Sequence, residues 1–185
     1  RNYVPPSRQY YAFERIYSNI KAIAFVHRKG EPNSVIQFNE FRKILEPRGI
    51  KVIDIAAVDL DDMRAKLKEV IHLVDAVYSA CDTLIQSGGE ELVIHLCRAY
   101  IKPVFSCNKD GVLKGALIGN VADFYTIGSI SGEKASLILQ GAEPAWLKTE
   151  SPREDYIIVN RKTADELNII IPEEIRIASQ EIIGQ

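Results

Sequence analysis

Short, unbroken apolar runs alternate with amphipathic helical stretches along the whole 185-residue chain, and this alternation constrains the fold more than any other feature. The run 21–27 (Lys-Ala-Ile-Ala-Phe-Val-His) has no polar gap, as expected for a strand buried on both faces of a parallel sheet. Further strands are predicted over 52–58, 76–78, 103–105, 115–118 and 156–159. Between them the helical period predicts helices over 33–46, 61–73, 89–99 and 124–140, with short helices over 163–167 and 172–182. Pro47-Arg48-Gly49 stops the first of these and Gly141 the long one. Pro5-Pro6 resists helix, so 1–18 reads as an arm or linker with a short helix over 8–18. Residues 19–185 then form one α/β domain: an open parallel sheet with helices on both faces. In that architecture ligands sit beyond the carboxyl ends of the strands.

Charge and cysteine content narrow the function. Twenty-three Lys and Arg against 25 Asp and Glu leave a net charge of −2, which offers no general field for nucleic acid or an anionic membrane. No apolar run is long enough to span a membrane. The three cysteines, Cys81, Cys97 and Cys107, are odd in number and lack a Cys-x-x-Cys spacing. That argues against a disulfide framework and against zinc. His27, His72 and His95 form no metal motif. Gly-x-Ser-x-Gly is absent, and Cys81 beside Asp82 has no histidine brought near by sequence, so no enzyme is expected. Gly88-Gly89 lacks the lysine of a phosphate loop and reads as a turn, so no cofactor is expected.

The loops at the carboxyl edge are polar: Lys29 to Ser34, Ser79 to Thr83, Ser106 to Asn108 and Gly119 to Asp123. Asn33 and Ser34 open a helix, where free N–H groups receive a carboxylate. Asp82 and Asp123 suit the ammonium end of a zwitterion, with Tyr78, Phe124 and Tyr125 as ring walls. Each has a plainer reading. Asn33 and Ser34 are helix-capping types, and local chemistry alone favours capping. Asp82 serves equally as a cap, and Tyr78 and Phe124 as core.

Several segments, in order, resemble the substrate-binding proteins of ABC transporters related to TrpX-type lipoproteins. They are Glu31-Pro32-Asn33-Ser34 with Gln37; Val74 to Tyr78 with Asp82-Thr83; Lys102 to Ser106 with Gly115-Ala116-Leu117; Asp123 to Gly128; Ile138 to Gly141 with Pro144; and Val159-Asn160 with Thr163-Ala164. The resemblance runs from about Ile20 to Ile183. It implies the type I periplasmic binding-protein fold, two α/β lobes closing on a ligand, and an extracytoplasmic solute-binding component that delivers an amino acid, aromatic in several members, to an ABC permease. It implies that Asn33 and Ser34 hold the carboxylate, that Asp123 holds the amino group, and that Glu31, Asp82, Thr83, Asn108 and Tyr125 line the cleft. A sensing domain of a signalling receptor is the alternative role. Asn108 stands where relatives often carry an acid. The chain also starts where a first lobe of about 100–130 residues is expected to be complete. Residues 119–145 are expected to belong with that missing or swapped lobe, and self-association into a homodimer is expected to cover the surface left bare.

Overall fold

The first apolar run becomes the spine of the sheet because its side chains alternate between two cores. In the computed structural model, which describes residues 3–184, β1 spans Ala22–Arg28. Ile23 and Phe25 face one core, while Ala24 and Val26 face the other. β2 (Lys51–Ala57), β3 (Ala76–Ser79), β4 (Val104–Ser106) and β5 (Ile118–Asn120) join it in parallel. β6 (Ile157–Asn160) and β7 (Ser179–Ile183) complete a seven-stranded sheet of order β2-β1-β3-β4-β5-β6-β7.

Helices cover both faces. α1 (Pro6–Ile16) and α2 (Pro32–Leu45) pack on one, and α3 (Leu60–Val70) and α4 (Glu90–Ala99) on the other. The first core is aromatic: the Phe13 and Phe105 ring centroids are 4.4 Å apart, and those of Phe41 and Tyr78 also 4.4 Å. Each such ring contributes roughly 1.5–3 kcal/mol by its burial. The second core is aliphatic, built on Met63, Leu67, Ile85, Val93 and Cys97.

The structure departs from the sequence reading in several places, and β5 lies at Ile118–Asn120 where a strand was expected over 115–118. Pro6 starts α1 instead of delaying it, because a first-turn residue needs no N–H. The helix expected over 8–18 is present, but it is packed into the domain and does not stand off as an arm, with Tyr10, Ala12 and Phe13 in the core; Arg1 and Asn2 lie outside the described residues. A short α5 (Lys109–Lys114) was not anticipated. β6 runs antiparallel to β5. The last helix ends early: after a short α7 (Arg161–Glu166), α8 covers only Glu173–Ala178, and Ser179–Ile183 becomes β7, parallel to β6. The open edge of β6 draws in this β-branched segment and overrides its helical periodicity. Finally, Cys81 and Cys107 form a disulfide with Cα atoms 5.6 Å apart. The sequence reading expected no disulfide framework and named no bridge; this single one needs no framework, only two strand ends side by side.

One helix stands apart. α6 (Phe124–Leu139) has no buried residue, although Phe124 is 72% exposed, Tyr125 87% and Leu139 89%. Ile127, Ile130 and Ile138 line a shallow groove closed by Pro144 and Leu147.

Candidate functional site

At the carboxyl ends of β1, β3 and β4, three loops are stitched together by side chains that sequence alone could only place on separate turns. Glu31 receives two hydrogen bonds from Thr83 N, both 3.2 Å, and one from Thr83 Oγ1 at 2.6 Å. Asn33 Nδ2 donates to the Cys81 carbonyl at 2.7 Å. Asp82, only 2% exposed, accepts from Arg28 N at 2.8 Å and Ile85 N at 2.9 Å. The disulfide then ties the β3 loop to the β4 loop, where Asn108 caps α5 by accepting from Gly111 N at 3.0 Å. Glu31, Asn33, Thr83 and Asn108 therefore share one rim, with Ser34 and Asp82 buried directly beneath it.

Their individual roles differ from one another. Ser34 is fully buried; its hydroxyl lies 3.1 Å from the Glu31 carbonyl and 3.2 Å from His27 Nδ1. Asp82 is occupied by backbone, as a turn residue would be. The first turn of α2 has Pro32 at its start and no side-chain cap, so this helix end faces the rim without one. Asp123 follows β5 on the same edge and caps α6. It accepts from Tyr125 N and Thr126 N at 3.0 and 3.1 Å. The bonds from Thr126, its hydroxyl above all, hold the Asp123 carboxyl below the usual carboxylate range. Tyr125 projects outward.

Tyr78 does not wall the rim. Burial removes its ring into the core and pushes its hydroxyl above the usual range. That hydroxyl donates to Gln9 Oε1 at 2.9 Å and accepts from Gln37 Nε2 at 2.7 Å. Gln9 Nε2 reaches the Asn120 carbonyl at 3.4 Å, and Gln37 Oε1 accepts from Cys81 N at 3.4 Å. A buried polar line thus runs beneath the rim from the β5 end to the β3 loop. Gln9 had no sequence signal; Gln37 had only its place in the resemblance.

Glu90 was also missed. It is 3% exposed, and burial pushes its carboxyl up to about 7. Oε2 accepts from Asn108 Nδ2 at 2.8 Å, and the Ser106 and Ser79 hydroxyls beside the carboxyl oppose the effect of burial without overcoming it. Gly111 makes room for it, since a Cβ there would sit 2.4 Å from Glu90 Oε1 and 2.2 Å from Ser106 Oγ. Among the described residues no group of His, Cys, Asp and Glu could hold a metal ion, and no helix is long and apolar enough to cross a membrane.

Comparison with known proteins adds a frame to this geometry. Residues 7–183 match the family model described as ABC transporter substrate binding protein. No curated protein matches the chain. Three solved structures share the fold. A conserved domain protein from Vibrio cholerae has TM-score 0.85 at 24% identity, over 98% of this chain and 61% of its own. An ABC domain from Streptococcus pneumoniae in complex with L-Trp has TM-score 0.84 at 26% identity, over 97% and 60%. The ligand-free, open form of CD0873 from Clostridium difficile, a substrate binding protein with adhesive properties, has TM-score 0.83 at 20% identity, over 100% and 61%. The chain therefore spans about 60% of the length of these three proteins.

Proposed function

Because the chain belongs to the ABC transporter substrate binding protein family, we propose that it is the solute-binding component of an ABC importer and that its solute is an amino acid, aromatic ones being the first candidates. The observation that carries this reading is the single rim on which the loops after β1, β3 and β4 are bonded together beside an uncapped α2 end. A helix N-terminus with free amides attracts a carboxylate, and anionic groups there gain roughly 0.3–1 kcal/mol. In this reading Glu31, Asn33, Ser34, Thr83 and Asn108 build and border the carboxylate end, with Asp82 and Tyr78 supporting it from beneath. Asp123, held ionised, receives the ammonium group, and Tyr125 stands beside it. The L-Trp bound by the pneumococcal relative supports an amino acid as the ligand class.

Its partner is then an ABC permease, and its compartment is extracytoplasmic, where a disulfide such as Cys81–Cys107 persists. No catalytic step is assigned to it. The bare apolar face of α6, within residues 119–145, suits packing against a second lobe or, failing that, a second copy of the chain.

The test is thermal unfolding with each amino acid in turn. Tryptophan, phenylalanine or tyrosine at about 100 times Kd is expected to add about 2.7 kcal/mol of stability. That corresponds to a rise of roughly 5–10 °C in Tm for a chain of this size. Asp123→Ala is expected to lose the shift, its own ligand-free Tm serving as the baseline because the α6 cap is lost with it. An unchanged Tm across all amino acids overturns the reading.

A further inference from the structure

Beneath the rim lies a chain of three polar side chains. Asp54 Oδ1 on β2 is 2.8 Å from His27 Nε2, and His27 Nδ1 is 3.2 Å from Ser34 Oγ. The His27 side chain is 3% exposed, while that of Asp54 is 46% exposed. The imidazole is wedged by aromatic rings, stacked on Phe38 at 5.6 Å and edge-on to Phe25 at 5.6 Å. The order Ser–His–Asp serves nucleophilic catalysis in other proteins. Here Ser34 is fully buried, so no substrate carbonyl can reach its hydroxyl.

What the arrangement does instead follows from counting protons. Ser34 has one hydroxyl proton and three acceptors in reach: His27 Nδ1 at 3.2 Å, the Glu31 carbonyl at 3.1 Å and the Arg28 carbonyl at 3.4 Å. The Asp54 carboxylate selects the tautomer that carries its proton on Nε2, leaving Nδ1 as an acceptor for the Ser34 hydroxyl. When His27 gains a second proton, Nδ1–H donates to Ser34 Oγ. The hydroxyl must then turn to a carbonyl, and Glu31, at the mouth of α2, is the nearer.

We infer that His27 is a positioning residue of the rim, whose protonation turns the Ser34 hydroxyl from the imidazole to the Glu31 carbonyl and makes the α2 end a better receptor for a carboxylate. The inference rests on the proposed amino-acid site. Two effects act together: a cation is added behind the helix N-terminus, and the loop that presents Glu31 to Thr83 and Asn33 to Cys81 is tightened. The other charged groups around His27 do not take its place. Arg42 of α2 stands over the Phe38 ring, 5.7 Å from its centre, within electrostatic reach of Asp54. The Arg28 guanidinium is bonded to Thr83 Oγ1, and Asp82 of the β3 loop is engaged by Arg28 N.

L-Tryptophan binding, measured by calorimetry from pH 5.5 to 8, is expected to be about five-fold tighter at the acid end. Its midpoint should coincide with that of the His27 imidazole resonances followed by NMR. His27→Gln and Ser34→Ala are expected to flatten the profile. Asp54→Asn, a substitution at a half-exposed site that removes the carboxylate bonded to His27 Nε2, is expected to change the profile of binding and of the His27 resonances together. A wild-type pH profile in His27→Gln, or midpoints that disagree, overturns the inference. If no amino acid binds at any pH, the solute reading fails, and amide exchange then decides the role of His27. The protection of Val35 N–H, which bonds the Glu31 carbonyl at 3.1 Å, should change roughly three-fold across the His27 titration and stay flat in His27→Gln. Flat protection in the wild type overturns the inference on that arm.

Discussion

Glu90→Gln is expected to stabilise the protein at pH 8 by about 3 kcal/mol, and to do nothing comparable at pH 4.5. The carboxyl sits on α4 almost wholly out of water, bonded to Asn108 and flanked by the Ser106 and Ser79 hydroxyls, which do not make up for the lost hydration. Burial raises it from the ordinary 4.5 to about 7. Below about pH 4.5 folded and unfolded chains both hold the proton, and Glu90 carries no penalty. Between 4.5 and about 7 the unfolded chain releases the proton while the folded chain keeps it, so stability falls as pH rises. Above that window the whole penalty is present, about 3 kcal/mol at roughly 1.36 kcal/mol per pH unit. Glutamine keeps the shape, can accept from Asn108 Nδ2, and offers Ser79 Oγ a donor without a charge. Urea and thermal unfolding of both proteins at pH 4.5, 6 and 8 check this. The difference between them should open across the window and reach a Tm gap of roughly 6–12 °C at pH 8. A difference that does not vary with pH would show that the site is hydrated and the carboxyl ordinary.

Glu90 also illustrates what the sequence could not disclose. Glu90 and Glu91 are neighbours in the first turn of α4, where acids suit the helix dipole. Only the three-dimensional placement of Gly111, Ser79 and Ser106 sends one of them into the core. The sheet was far more legible. The runs at 22–27 and 104–106 are apolar because both faces are covered, whereas the edge strand 51–57 leaves Lys51 and Asp54 exposed and is legible by its Val, Ile and Ala residues. β7 was not legible, because edge pairing with β6 is non-local and its residues also fit a helical period. The rim was partly legible: Asn33, Asp82 and Asp123 stand on one edge as their loops implied. Yet the bonds that join the Asn33 and Asp82 loops are caps and cross-loop contacts, made by the same residue types a ligand site uses, and Asp123 bonds only the first turn of α6. Tyr78 was misplaced as a wall because an aromatic at a strand end looks alike whether its ring faces solvent or Gln9 and Gln37. The Cys81–Cys107 pairing was invisible, since a spacing of 26 residues carries no signal until β3 and β4 lie side by side.

That pairing sets the second large expectation. Replacing both Cys81 and Cys107 with serine, or reducing the protein, should cost about 3–4 kcal/mol of stability. A bridge across 26 residues removes that much freedom from the unfolded chain in the loop-entropy account. The effect should reach the rim as well, because Cys81 N bonds Gln37, the Cys81 carbonyl holds Asn33, and Asn108 follows Cys107. Thiol counting provides the independent check. Unfolded without reductant, the chain should alkylate at Cys97 alone. Folded, it should resist even there, since burial pushes the Cys97 thiol well above its usual range. Three reactive thiols in the unreduced, unfolded chain would mean that the two loops are not covalently joined, and the stability difference between wild type and the double serine variant should then vanish. With one reactive thiol and a loss near the expected size, the β3 and β4 halves of the rim are held in register by a covalent clamp that forms in an oxidising compartment.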